Sequence, residues 1–256
     1  MKRKHDPKEL AASIQREEDA MIGGNLNFAA SEAYKLLRTN LMFSLPDEKK
    51  CRVVGITSSI PGEGKSTTSI NLAYALAETG QRVLLMELDM RLPNIARRVK
   101  TPASPGLSNV LAGLNRVSES IYPIEGKDNL FLLPAGEIPP NPSELLGSRK
   151  MEELVETLSE SFDFIIFDLP PVTVVSDALT VSGLTGGMVM VVRRNYSNQS
   201  ALAEAMRQLK FSNVKLLGFV MTQAEEREKK YKSYSYSGRK YYQKYDYAAS
   251  GSKEKK

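Results

Sequence analysis

The sequence predicts an α/β fold with a mostly parallel central sheet and helices on both of its faces. Three observations predict it. Between Arg52 and Met221, short β-rich runs alternate with segments of helical length. The runs are nearly continuous in Val, Ile, Leu, Met and Phe, as in strands buried on both faces. The chain has 256 residues and 41% hydrophobic content, enough for a core of that kind.

The elements follow in order. Residues 1–28 read as an N-terminal arm with little core. A helix is expected from Ser31, a good N-cap, through Glu32-Ala33-Tyr34-Lys35-Leu36-Leu37-Arg38. Strands are expected at Val53–Thr57, Val83–Glu87, Leu130–Leu133, Phe164–Asp168, Met188–Val192 and Leu216–Met221. Helical segments lie between them at Ser66–Thr79, Lys150–Ser161 and Gln199–Leu209. The folded domain spans 29–224. After Met221 no Val, Ile, Leu, Met, Phe or Trp occurs, so 225–256 reads as a disordered tail that cannot form a core. No internal repeat is present.

Composition narrows the function classes. A single cysteine, Cys51, excludes a disulfide framework and agrees with a reducing compartment. No apolar run approaches the roughly 20 residues that span a bilayer; Met188–Val192 is the best, and it reads as a buried strand. The basic start, Met-Lys-Arg-Lys-His, precedes no apolar segment and does not read as a secretory signal. The formal charge of +5 is unevenly placed. Residues 225–256 carry ten basic and five acidic side chains, so the tail holds the whole excess. Such a tail suits nucleic acid, an anionic membrane or an acidic partner, or serves as a solubilising segment.

The strongest chemical signal follows the first strand. Val53-Val54-Gly55-Ile56-Thr57 leads into Ser58-Ser59-Ile60-Pro61-Gly62-Glu63-Gly64-Lys65-Ser66-Thr67. Between a strand and a helix, such a loop aims successive backbone N–H groups at phosphate oxygens. Lys65 is expected to reach the β- and γ-phosphates of ATP or GTP, and the Ser66 hydroxyl to ligate Mg²⁺. Ser59, Pro61, Gly62, Glu63, Gly64, Lys65, Ser66 and Thr67 form the expected nucleotide-binding set. The usual pattern opens with Gly five places before Gly64, where this chain has Ser59. The motif makes the fold a P-loop NTPase.

Two acidic strand ends support it. Phe164-Ile165-Ile166-Phe167-Asp168 is an apolar strand ending in a carboxylate, as a Walker B strand does when it holds Mg²⁺ through water. Val83-Leu84-Leu85-Met86-Glu87-Leu88-Asp89 ends likewise, with Arg91 just beyond. In an open parallel sheet, ligands sit outside the carboxyl ends of the strands, so all three ends converge on one crevice. A lone carboxylate of this kind is also what an ordinary strand-terminating turn carries.

The chain resembles the bacterial tyrosine kinases of capsule and exopolysaccharide synthesis over nearly its whole length. The residues that carry the resemblance are Pro61–Ser66 as Walker A, Glu87-Leu88-Asp89-Met90-Arg91 as Walker A′ and Asp168-Leu169-Pro170-Pro171 as Walker B. Glu32-Ala33-Tyr34-Lys35-Leu36-Leu37-Arg38-Thr39-Asn40 is similar to the segment that packs protomers into a ring, with Glu32, Lys35 and Arg38 as the contact residues. The resemblance implies kinship with partition and division-site ATPases, and ATP and Mg²⁺ as cofactors. It implies Lys65, Glu87, Asp89 and Asp168 as catalytic residues and Ser66, Asp89 and Asp168 around the metal. The implied partners are a transmembrane polysaccharide co-polymerase that activates the kinase, a cognate phosphotyrosine phosphatase and other protein substrates, with no specific nucleic acid. The implied location is cytoplasmic, held at the inner face of the cell membrane by the activator.

Four positions depart from the family pattern. Walker A′ usually opens with Asp, which would act as base on the tyrosine hydroxyl; here Glu87 stands there. The ring motif usually has Arg where Lys35 stands, and Lys cannot make the bidentate fork. Thr222 follows Met221 where the last strand often ends in Asn near the adenine. Ile60 occupies the place where partition ATPases carry an extra lysine, which favours the kinase branch.

The tail supplies an acceptor. Tyr231, Tyr234, Tyr236, Tyr241, Tyr242, Tyr245 and Tyr247 are seven of the chain's eleven tyrosines, separated by serines, Gly238 and basic residues. Apart from the kinase-like domain, the same cluster reads as a sticky aromatic tail or as a strip for single-stranded nucleic acid. Three functions are therefore carried forward. One is a kinase that autophosphorylates this cluster in trans and regulates polysaccharide synthesis and export. Another is a partition-type switch ATPase. The third is a catalytically weak, nucleotide-binding regulator of polysaccharide assembly.

Overall fold

The fold is taken from a computed structural model, which describes residues 22–45 and 51–224. The seven tail tyrosines, with the rest of 225–256, lie outside the described residues.

Helix α1, Phe28–Ser44, precedes strand β1, Arg52–Ser58, and helix α2, Lys65–Ala77. Then come β2 (Val83–Glu87), α3 (Ile95–Arg98), α4 (Leu107–Leu111), β3 (Tyr122–Pro123), β4 (Leu130–Leu133), α5 (Pro142–Leu146) and α6 (Arg149–Ser159). The chain continues through β5 (Phe164–Asp168), α7 (Asp177–Thr180), β6 (Met188–Arg193), α8 (Gln199–Phe211) and β7 (Leu216–Thr222). Short 3₁₀ turns lie at Gly23–Asn25, Val117–Glu119 and Ser182–Leu184.

The seven strands form one sheet in the order β3-β4-β2-β5-β1-β6-β7. Every pairing is parallel except β3 with β4. Alternate residues feed two cores, as the pleat requires. Val53, Leu84, Met86, Ile165, Phe167, Met188 and Met190 face a core completed by α4 to α8. Val54, Ile56, Val83, Leu85, Ile166, Val189 and Val191 face a second one completed by α1, α2 and α3. Helices thus cover both faces, and the six expected strands each fall within about one residue of their sequence limits.

Two expectations need revision. Helix α1 starts three residues before Ser31: Asn27 is the N-cap, its side chain accepting from the Ala30 N–H at 2.9 Å. Ser31 sits inside the first turns, where its own N–H already bonds to the Asn27 carbonyl. The last residues of the arm are also not free of core. Ile22 is buried among α1 and α2 residues, and the Gly23 N–H donates to Asn71 Oδ1 at 2.8 Å.

The crossings set up the site. β5 inserts between β1 and β2, so that Glu87 lies in register with Asp168, and Asp168 in register with Ile56. The chain leaves β1 toward β2 on one side and reaches β6 and β7 on the other. That reversal opens a crevice outside the carboxyl ends of the strands.

Candidate active site

The loop between β1 and α2 is the floor of this crevice. Gly62 has φ +83° and Gly64 φ +98°, left-handed conformations that a side chain would strain. A Cβ on Gly62 would also lie 2.9 Å from the Tyr196 hydroxyl, so that side chain would have to shift. Among the described residues, no protein acceptor takes the backbone N–H of Gly62, Glu63 or Gly64, although Glu63 is fully buried. A buried N–H group rarely goes without a partner, and the unpaired N–H groups here lie on Glu63, which is buried, Gly64, which is half-buried, and Gly62, which is exposed. Three successive ones in one loop have the donor pattern that phosphate oxygens satisfy.

The acids lie beneath. Asp168, fully buried, accepts from Ser66 Oγ at 2.7 Å through one oxygen and from Ser69 Oγ at 2.8 Å through the other. Burial pushes its carboxyl above the ordinary range, opposed by the Lys65 charge and by the two serine hydrogen bonds and reinforced by the Asp89 charge. Lys65 and Asp89 therefore both act on Asp168 through their charges. Asp89 is 7% exposed and receives one backbone bond, from the Leu92 N–H at 3.2 Å. Hydroxyl and carboxylate oxygens are the hard donors that suit Mg²⁺, which commonly keeps several waters and takes only one or two carboxylates beside substrate phosphates. Ser66, with Asp168 and Asp89 behind it, fits that requirement.

Glu87 is placed differently. It is 1% exposed; one oxygen accepts from the Asn94 N–H at 2.5 Å and the Ile95 N–H at 2.6 Å, the other from the Ala135 N–H at 3.4 Å. Burial pushes its carboxyl up to about 7 against these backbone bonds, which pull it down. Its geometry is that of an anchor tying β2 to the start of α3. Asn94, positioned by this anchor, donates from Nδ2 to Ser66 Oγ at 3.3 Å.

Other expected residues divide in the same way. Ser59 Oγ lies 3.0 Å from both carboxylate oxygens of Glu63, whose carboxylate also takes the Ile60 N–H at 2.8 Å and the Ser197 hydroxyl. The side chains of Ser59 and Glu63 therefore shape the loop from behind, while the Ser59 carbonyl accepts from Thr173 Oγ1 at 2.5 Å. Thr67 Oγ1 receives Arg98 at 2.8 Å. Arg91 reaches away toward Asp177 at 3.4 Å and Ser143 at 3.2 Å.

On α1, Lys35 pairs with Glu32 at 2.7 Å and Arg38 donates to the Ala75 carbonyl of α2 at 2.7 Å. Within the chain these three do not form one cluster. Leu36 and Phe43 are exposed on the same helix.

Sequence reasoning missed Ser69, Asn94, Arg193, Tyr196 and Ser197. Only Thr222 had a signal, as a departure from the family pattern; its hydroxyl donates to the Glu63 carbonyl at 2.7 Å.

Comparison with known proteins fits this geometry. The AAA-domain family matches residues 51–218. The tyrosine-protein kinase YwqD of Bacillus subtilis (strain 168) is 36% identical over 82% of this chain and 87% of its own length. Other curated relatives are longer, and the chain spans 29% of them. The kinase domain of the Escherichia coli tyrosine kinase ETK superposes with a TM-score of 0.71 at 31% identity, covering 77% of this chain and 78% of that one. The septum site-determining protein MinD of Pyrococcus horikoshii OT3, complexed with Mg-ADP, gives a TM-score of 0.57 at 26% identity, covering 67% and 70%. Among the described residues, no helix is long and apolar enough to cross a membrane.

Proposed function

The chain belongs to the family of bacterial tyrosine-protein kinases, and from that premise we propose how its site works and on what it acts. It is an ATP-dependent protein-tyrosine kinase. The observation that supports the assignment of roles is the row of unpaired N–H groups on Gly62, Glu63 and Gly64 above the Ser66–Asp168 pair.

In this reading those N–H groups and Lys65 hold the phosphates, and Ser66, Asp168 and Asp89 are the residues that would hold Mg²⁺. The ion would supply charge neutralisation on the β- and γ-phosphates, which with positioning is most of what phosphoryl transfer needs. Asp89 takes the proton from the incoming tyrosine hydroxyl. Glu87 is a poor base because both of its oxygens are occupied by backbone amides, whereas Asp89 has a single such bond. A base in that role contributes roughly 10²–10⁴ in rate.

The acceptor is the tail cluster from Tyr231 to Tyr247 of a neighbouring chain in a homo-oligomer, and the output is control of capsular or exopolysaccharide synthesis and export. A transmembrane co-polymerase would recruit and activate the enzyme, and a phosphatase would reset it. Each phosphate adds roughly −1.5 to −2 charges at neutral pH, so seven would reverse the +5 tail. The test is phosphotyrosine labelling with Mg-ATP, with and without the activator's cytoplasmic tail. Replacing all seven tail tyrosines with Phe should abolish most labelling while ADP binding stays intact. Phosphate found mainly on Tyr34, Tyr74, Tyr122 or Tyr196 would overturn the tail assignment and leave the kinase assignment standing.

A further inference from the structure

The phosphate loop is gripped from outside by residues of the β6–α8 turn and by the end of β7. Three consecutive carbonyls are held, each by a different side chain. Tyr196 Oη donates to the Pro61 carbonyl at 3.1 Å, Arg193 Nη1 to the Gly62 carbonyl at 3.0 Å and Thr222 Oγ1 to the Glu63 carbonyl at 2.7 Å. The Arg193 guanidinium also lies 4.9 Å from the centre of the Tyr196 ring, so the two side chains brace each other. Ser197, whose hydroxyl accepts the Arg193 N–H at 2.7 Å, bonds the Glu63 carboxylate from the same turn. The Arg194 N–H donates to the Thr222 carbonyl at 3.1 Å, which ties the turn to the end of β7.

Peptide planarity turns this grip into a statement about phosphate. In a trans peptide the C=O of one residue and the N–H of the next point in opposite directions. Holding the carbonyls of Pro61, Gly62 and Glu63 outward therefore turns the N–H groups of Gly62, Glu63 and Gly64 inward. Those are the three donors that lack a protein acceptor. The loop needs such help, because Gly62 and Gly64 are the residues with the most backbone freedom to lose when it forms.

We propose that Tyr196, Arg193 and Thr222 form a clamp that preorganises the phosphate-binding amides before nucleotide arrives. They are positioning residues: they touch the loop and not the ligand. This rests on the reading that the loop binds nucleotide phosphates.

The test uses Tyr196→Phe and Thr222→Val, singly and together, with Thr222→Ser as the conservative control. Each removes one hydroxyl while keeping the shape of its side chain, so the ring over Arg193 and the end of β7 stay in place. In the nucleotide-free protein, amide hydrogen exchange should quicken in the segment around Gly62–Gly64 and nowhere else. ADP affinity, measured by calorimetry without Mg²⁺, should weaken by about three- to tenfold for each hydroxyl lost, the range for one ordinary hydrogen bond. The double variant should show the larger loss, and Thr222→Ser should bind like wild type. Unchanged exchange and affinity in the double variant would overturn the clamp. So would an affinity loss shared by Thr222→Ser, or one accompanied by faster exchange throughout the sheet. A wild-type protein that failed to bind ADP would instead remove the nucleotide reading itself.

Discussion

On the β2–β5 side of the phosphate loop, the site is assembled from buried strand ends. Glu87 and Asp168 lie side by side in register, with Asp89 two residues on, and their partners are mostly backbone amides and serine hydroxyls. On the β6–β7 side it is assembled from a surface turn and a sheet edge. Tyr196 is 49% exposed there, and Phe219 and Met221 on β7 face solvent. The first side carries the buried carboxylates and the second holds the loop that faces them. A charge placed in a low-dielectric interior acts strongly, which makes the buried side the natural seat of chemistry. A hydroxyl at the surface contributes one modest hydrogen bond, which suits positioning. The contrast predicts that variants on the buried side cost rate or stability in large steps, and variants on the edge cost nucleotide affinity in small ones.

The largest effect should come from Lys65→Met. The residue lies at the start of α2 facing the crevice, and its charge acts on Asp168. Removing a preorganised charge-stabilising group costs on the order of 10²–10³ in rate. Self-labelling should fall at least that far, while circular dichroism and the unfolding midpoint stay close to wild type. Labelling at the wild-type rate would break the comparison at its root, since the loop would then not be the phosphate site.

Asp89→Asn and Glu87→Asp sharpen the contrast within the buried side. If Asp89 is the base, Asp89→Asn should lower single-turnover phosphoryl transfer by roughly 10²–10⁴ with little change in stability. Glu87→Asp shortens the anchor by one methylene, and its first effect should be on the unfolding midpoint. A Glu87→Asp variant of full stability whose transfer rate shifts as far as that of Asp89→Asn would return the base role to Glu87.

The same contrast explains how much could be read from the sequence. Six strands were legible because each is a nearly continuous apolar run, and a carboxylate closing such a run, as in Phe164–Asp168, stands out. The two-residue β3, containing Pro123, has no run to detect, and α3, α4, α5 and α7 are too short for helical periodicity to register. The start of α1 was misplaced because Asn27 and Ser31 are both good caps and only the turn between them decides. The acids and the P-loop were legible in kind. The division of labour between Glu87 and Asp89 was not, because it depends on where the N–H groups of Asn94, Ile95 and Ala135 fall in space. Arg193, Tyr196 and Thr222 lie some 130 to 160 residues from the carbonyls they hold, in a turn and an edge strand of ordinary polar composition. No local spacing announces such a contact.

The last effect is a pH dependence of stability that Glu87 should impose and that Glu87→Gln should remove. The carboxyl is raised from 4.5 to about 7 by burial, so between those values the folded state holds a proton that the unfolded state has released. Stability therefore falls as pH rises from about 4.5 to about 7 and is flat beyond, because the ionised group costs more buried than in water. At 1.36 kcal/mol per unit the contribution amounts to about 3 kcal/mol, an upper figure for a group that can relax. In Glu87→Gln the amide oxygen can still accept from Asn94 and Ile95, while the side-chain NH₂, itself a donor, faces the Ala135 N–H and leaves that 3.4 Å contact unmade. The variant should be less stable than wild type at pH 5, where Glu87 is mostly protonated in the folded protein and stays bonded without charge. It should approach or exceed wild type at pH 8. Urea unfolding at pH 5, 6, 7 and 8, read as the difference between the two proteins, isolates Glu87 from groups that titrate alike in both. A difference that does not change with pH would mean that burial does not raise the Glu87 carboxyl, and would leave Glu87 an ion beside the reacting centre.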